Sequence, residues 1–516
     1  MIFARDSHLP CYWTVALSTL VALLLNIASA AAEPTDAESE PLRWRGLQGG
    51  WYVSDPANWA EHESPEMVKS RPADFRSRAL VVVDRDQRFH GGVRMDSYRL
   101  DIAWYLRHHT LTLAGDVNIG AGRSSGFMSE GTWRLGEPGH AAHVRFYAGG
   151  GEGNTFHLTN TAVLHTDQVA ELSVADASGN TRAKGTFDLS RASLVEDAFR
   201  AETLRVGRYR GRTPNRGGEG VLRLPASTRT IAVDQLLLGV NERKVGDGDP
   251  SIARGVLDMG GGEAVALIVR DTADWAVGDH ASAALSGLPS HLELAIGSPD
   301  APAAWRIAVN DRLDESKGTT AFEWTAPAGT VRAHLAELIV GRNTGSAGTA
   351  SGTLDLSAMT PATFDAGKTI IGAGIAAMGR LELPAGKASF NRLTVGDNHQ
   401  GADGTVVLHG TDLTISETVS IGAAGTVIAH VSDTGRIDVT NDNPSAFQIA
   451  PGGELRLAVT TSGDRVTGGR WLLRCAGDRT DQIAAMLDDG RVMADGVDPE
   501  RVSVRHVDGQ TVLAID

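Results

Sequence analysis

The chain has 516 residues, 42% of them hydrophobic, with 60 glycines, 2 cysteines and a formal net charge of −15 at pH 7. That apolar share supports a large core and argues against a disordered chain. The acidic balance, with no concentrated basic face, argues against a nucleic-acid-binding protein.

The N-terminus reads as an export signal over residues 1–32: Arg5, then an apolar stretch from about Thr14 to Ile27, then Ala28-Ser29-Ala30-Ala31-Ala32 as the cleavage region. Cys11 precedes the apolar stretch, so export leaves Cys475 as the one cysteine and no internal disulfide is expected. Beside Trp471, Leu472 and Leu473, Cys475 reads as a buried strand residue. No later run approaches the roughly 20 apolar residues of a membrane helix, so the mature chain is expected to hold no transmembrane segment.

Residues 33–93 read as a linker and N-terminal capping segment. Trp44, Trp51 and Trp59 fall within 16 residues. Large aromatics suit the open end of a stack of strands, and they also suit a platform for sugars, so these three are the candidate glycan-contacting side chains.

From 94 to 457 the sequence repeats a phrase. An apolar run ends in Gly, a polar stretch follows, and then comes Gly-x-Leu-x-Leu: Leu204-Arg205-Val206-Gly207 with Gly220-Val221-Leu222-Arg223-Leu224, and Leu338-Ile339-Val340-Gly341 with Gly352-Thr353-Leu354-Asp355-Leu356. Gly120, Gly207, Gly239, Gly297, Gly341, Gly372, Gly396 and Gly422 close such runs, several of them 24 to 32 residues apart. Leu354 and Leu356 alternate with Thr353 and Asp355, the period of a half-buried strand. A two-strand unit cannot bury its apolar side alone, so stacked units are expected to form an all-β parallel β-helix, about 13 coils at roughly 28 residues each.

Motifs with chemical meaning are weak. Gly122-Arg123-Ser124-Ser125-Gly126 fits a nucleophile-elbow pattern, but a strand rather than a helix is expected after it. Gly372-Ala373-Gly374 lacks both the third glycine spacing and the helix of a dinucleotide fingerprint. Asp247 and Asp249, in a Gly-Asp turn, are weak calcium candidates without the repeated series a calcium-binding roll would need. His108-His109 has no third ligand at zinc spacing, so no metal or cofactor is assigned. The run Arg208, Arg210, Arg212 and Arg216 reads as a solvated loop, with contact to acidic polysaccharide as the minor alternative. Arg342-Asn343-Thr344-Gly345-Ser346 reads as a loop leaving the stack.

Residues 458–516 read as a C-terminal capping segment. It holds a strand at Gly469-Arg470-Trp471-Leu472-Leu473, a helix over Asp481–Leu487 with Asp481 as N-cap, and a hairpin turned at Asp508-Gly509.

The Trp-Gly…Gly-Trp…Asn-Trp head, followed by the Leu-x-Val-Gly and Gly-x-Leu-x-Leu phrases, resembles exported bacterial β-solenoid proteins that carry autotransporter-associated β-strand repeats. That resemblance implies a right-handed parallel β-helix passenger, display outside the cell or at its surface, and no catalytic residues. The chain ends at Leu513-Ala514-Ile515-Asp516 without the barrel or sorting tail of those families, which leaves the route of anchoring open. The expectation is an exported structural or adhesin-like protein that is not an enzyme, periplasmic, extracellular or surface-borne, with extracellular polysaccharide or surface proteins as partners. The alternatives are a polysaccharide lyase or hydrolase on the same coil, or a carbohydrate-binding protein.

Overall fold

In a computed structural model the chain is described over residues 41–45, 52–61, 71–75, 79–96, 102–120, 124–127, 130–147, 155–158, 162–178, 182–211, 216–242, 251–311, 318–345, 348–431, 435–459 and 470–515. The export signal, Trp51, Asp247 and Asp249 lie outside these residues. The body from Leu42 onward is nearly all strand, and its strands pair in parallel with strands one coil away. It is a parallel β-helix.

Each coil carries three strands rather than the two read from the repeated phrase. The first face begins as a five-stranded sheet from Gln87–Phe89 to Ser193–Leu194. From Ala198 onward the first halves of long strands, such as Gly329–Asn343 and Met359–Gly374, take its place. Their second halves belong to the second face, within a 20-stranded sheet. The third face is a 15-stranded sheet running from Ala79–Val82 to Val492–Asp495. The parallel pairing starts at Leu42↔Ala73 and Arg43↔Asp74, so the coil begins well before residue 94.

Alternation of side chains across each strand sends every second residue inward. In-register stacking then turns single residues into columns. Val174, Val206, Leu238, Trp275, Ile307 and Val340 follow one another on the second face, all fully buried. Phe187, Leu222 and Leu257 do the same on the third. Trp275 meets Trp305 edge-on at 5.2 Å and Trp324 at 5.6 Å, filling the middle of the core.

The repeated glycines mark a corner. The residue after that second-face column adopts a left-handed backbone in coil after coil: Gly207, Gly239, Gly341, Gly372 and Gly396, with φ between 60° and 69°. Three coils put alanine there, Ala175, Ala276 and Ala308, which is why the glycine spacing looks irregular in sequence. Gly120 and Gly422 are not in this conformation, and Gly297, although left-handed, is outside this column.

The end segments contain the expected elements with one change. The hairpin Val502–Val507 with Gln510–Ile515 turns at Asp508-Gly509, both left-handed, and pairs antiparallel with Arg470–Ala476. Helix α1 spans Thr480–Asp488. Asp481 lies in its first turn and is not the N-cap. The cap position is Arg479, which makes no side-chain capping bond; Asp478 before it accepts from the Thr480 amide at 3.2 Å and from its hydroxyl at 2.9 Å. No helix among the described residues is long and apolar enough to cross a membrane.

Candidate functional site

Trp44 and Trp59 are 5% and 0% exposed. They pack edge-on at 5.2 Å, both against Phe75, and the Trp59 ring nitrogen donates to the Val53 carbonyl at 3.0 Å. Neither ring has a face free for a sugar, so the glycan-platform reading of these two is corrected. They are core residues because inward positions of the first coils need volume, and the spacing of three tryptophans could not say which way each one pointed. Ser124 and Ser125 lie in a third-face strand, Ser124–Phe127, not on a strand-to-helix turn.

The outward columns of the second face carry the chemistry. One runs Ser173, Arg205, Leu237, Asp274, Arg306, and the neighbouring one runs Glu171, Thr203, Gln235, Thr272, Ala304, Glu337, Lys368, Arg392. Parallel strands about 4.8 Å apart bring successive outward residues into direct contact. Acids and bases pair from coil to coil: Glu171 with Arg205, and Glu337 with Lys368 at 3.3 Å. Asp274 accepts from Arg306 at 2.8 and 3.1 Å in a bidentate fork.

The pairing continues round the corner. Arg208 is 9% exposed, donating to Glu242 at 2.6 and 2.7 Å, with Asp176 at 3.9 Å. Asp176 also binds Arg210 at 2.9 Å. Arg208 is thus part of the wall and not a solvated loop; Arg210 lies in the strand Tyr209–Arg210 with its side chain exposed, Arg216 is exposed, and Arg212 lies outside the described residues. Asn343 is likewise buried, donating to the Ile375 carbonyl at 2.7 Å and accepting from the Gly345 amide at 3.1 Å.

Burial sets the acidities of this stripe. Burial pushes the Asp274 carboxyl above its ordinary value, more than Arg306 offsets, with Glu242 and Glu337 acting in the same direction. Burial likewise raises Asp176 against Arg210 and Arg208, and Asp311 against Arg342 and Arg306. Glu171 goes the other way: burial acts to raise it, but hydrogen bonds from Arg205 and Ser173 and the field of Arg145 together hold it below the usual range. Cys475 is fully buried and its thiol is pushed up to about 12 by burial, so it is not a nucleophile at neutral pH.

Farther along the same face the outward column changes character. Thr394, Ser420 and Gln448 succeed one another, and with Asn398, Gln482 and Arg491 they line a depression of about 450 Å³ beside α1. Hydroxyls and amides that both donate and accept match the hydroxyls of a sugar. Sequence reading missed this place because its members come from four separate coil segments, and no one segment stands out. His90, Glu137 and His140, well away from it, are a set whose ligand atoms are close enough to share a metal ion.

No protein-family model, curated protein or solved structure matches the chain.

Proposed function

We propose that the protein is an exported, non-catalytic β-solenoid of structural or adhesin type that holds extracellular polysaccharide on its second face. Export rests on the apolar stretch and small-residue region before residue 33. The observation that carries the binding reading is the neutral column Thr394, Ser420 and Gln448 with its flanking amides. The end segments serve as caps: the antiparallel hairpin 502–515 ends the parallel pairing of the 20-stranded sheet, which would otherwise offer an open strand edge.

The test is retention of neutral and acidic polysaccharides on the immobilised chain, with Ser420→Arg beside the native protein. The expected result is that at least one polysaccharide binds and that the arginine weakens it by about tenfold or more, a loss of about 1.4 kcal/mol. Binding to none, or binding that S420R leaves intact, counts against this site.

A second reading is supported by one observation. Asp176, Asp274 and Asp311, their acidities lowered by burial and each beside a guanidinium, are the kind of group that serves as an acid in polysaccharide cleavage. The pairing argues for the first reading. Asp274 is already held by both nitrogens of the Arg306 fork, as a structural clasp between coils.

A further inference from the structure

We infer that His90, Glu137 and His140 form a site for a divalent transition metal of the zinc class. The three residues come from places that sequence spacing cannot connect. His90 follows the first-face strand Gln87–Phe89; Glu137 and His140 follow Gly131–Leu135, two strands away on that face, with Thr110–Leu113 between. The four residues Glu137-Pro138-Gly139-His140 make this possible. Proline fixes the second position of a tight turn and Gly139 supplies φ of 82° at the third, the requirement of a type II turn. Glu137 and His140 close it with two backbone hydrogen bonds, at 2.9 and 2.8 Å. The turn sets both side chains beside His90, across the intervening coil.

The geometry is that of a ligand set. His90 Nδ1 stands 3.3 Å from Glu137 Oε1, and one ligand atom from each of the three residues lies within 4.8 Å of the others. Tetrahedral bonds of about 2.0–2.1 Å place neighbouring ligand atoms about 3.4 Å apart. The two imidazoles meet at 83° with centroids 5.2 Å apart, so their nitrogens can converge while the rings do not stack. Arg88 reaches the other Glu137 oxygen at 3.6 Å and would hold the carboxylate in place from outside the first shell. Two imidazoles and one carboxylate favour zinc over calcium or magnesium, whose sites are built from oxygen. Three protein ligands leave a fourth position for water. Glu137 also borders a depression of about 250 Å³ lined by Gln87, Thr110, Thr112 and Arg134, which gives that position access from solvent. Bound there, the ion would fasten one coil to the next but one.

The test uses the purified, untagged full chain, stripped with chelator and titrated with Zn²⁺ by calorimetry and with Co²⁺ by visible absorption. The inference expects one equivalent of zinc and the intense bands of tetrahedral cobalt. His140→Ala, on an exposed turn, and His90→Ala should each weaken zinc by at least about a hundredfold, the upper range seen for loss of outer partners alone. The double replacement of His108 and His109 by alanine should leave both signals unchanged. The melting profile of H140A without metal, expected to match the native chain, separates lost ligation from lost folding. Failure to take up zinc at one equivalent, or uptake that H140A does not change while the profile stays native, overturns the site and leaves His90 and Glu137 as side chains in contact across the turn.

Discussion

A Cβ placed on Gly341 would sit 1.9 Å from the carbonyl oxygen of Met378, and one placed on Gly352 would sit 2.7 Å from the Gly341 amide nitrogen. The corner glycine of the second face is therefore pressed between two third-face backbones, Gly352 of its own phrase and Met378–Gly379 of the next coil. Gly379 against Gly372 and Gly404 against Gly396 repeat it at 2.2 and 2.1 Å. Gly341→Ala should lower stability by at least about 2 kcal/mol, since it adds a left-handed backbone penalty to a backbone collision. Thermal unfolding followed by circular dichroism measures this, and an unchanged midpoint would mean the corner relaxes freely. The glycines of this contact were legible from sequence because only one residue type meets the need. Ala276 and Ala308 were not, and they occupy the corner where third-face pairing between Ala281–Ser286 and Thr319–Thr325 thins to the single pair Ser282↔Ala321.

Among elements, the C-terminal segment depends on one buried cation. Arg479 is 3% exposed and donates to the carbonyls of Ala476, Asn441 and Asn443 at 3.1, 2.7 and 2.6 Å. Its own amide donates to the Thr511 hydroxyl at 2.6 Å, which in turn donates to the Gly477 carbonyl at 3.0 Å. Arg479→Met keeps the stem but leaves three carbonyls short of a donor, at a cost of about 3 kcal/mol. The expected readout is hydrogen exchange: protection of 502–515 falls while the strands before residue 459 keep theirs. Uniform loss along the chain would show that the segment does not open as a separate unit. Sequence signals found the hairpin and the helix here because turn chemistry and helical period are local. They misplaced the cap because the cap position, Arg479, makes no side-chain capping bond, so no capping residue type marks it in the sequence.

Across the whole array, the sequence told what kind of fold this is but not its coil lengths. Third-face partners advance by 21 residues from Gly404 to Gly425 and by 39 from Ser282 to Ala321, since turns of differing length return to the same column. That tolerance hides every cross-coil arrangement from a linear reading, including the Asp274–Arg306 clasp, the Thr394–Ser420–Gln448 column and the His90–Glu137–His140 set. It also explains the misreading of Trp44 and Trp59, because inward and outward can be assigned only after register is known. Salt-bridge clasps between coils are weak evidence of net stability, because taking two charges out of water offsets much of their attraction.

The proposal at stake is that the outer face builds with its charged columns and binds along its neutral Thr394–Ser420–Gln448 column but does not cleave. The most direct measurement is prolonged incubation of the native chain and Asp274→Asn with neutral and acidic polysaccharides, scoring new reducing ends and unsaturated products. The account predicts no product from either protein. Product released by the native chain and lost in D274N would contradict it.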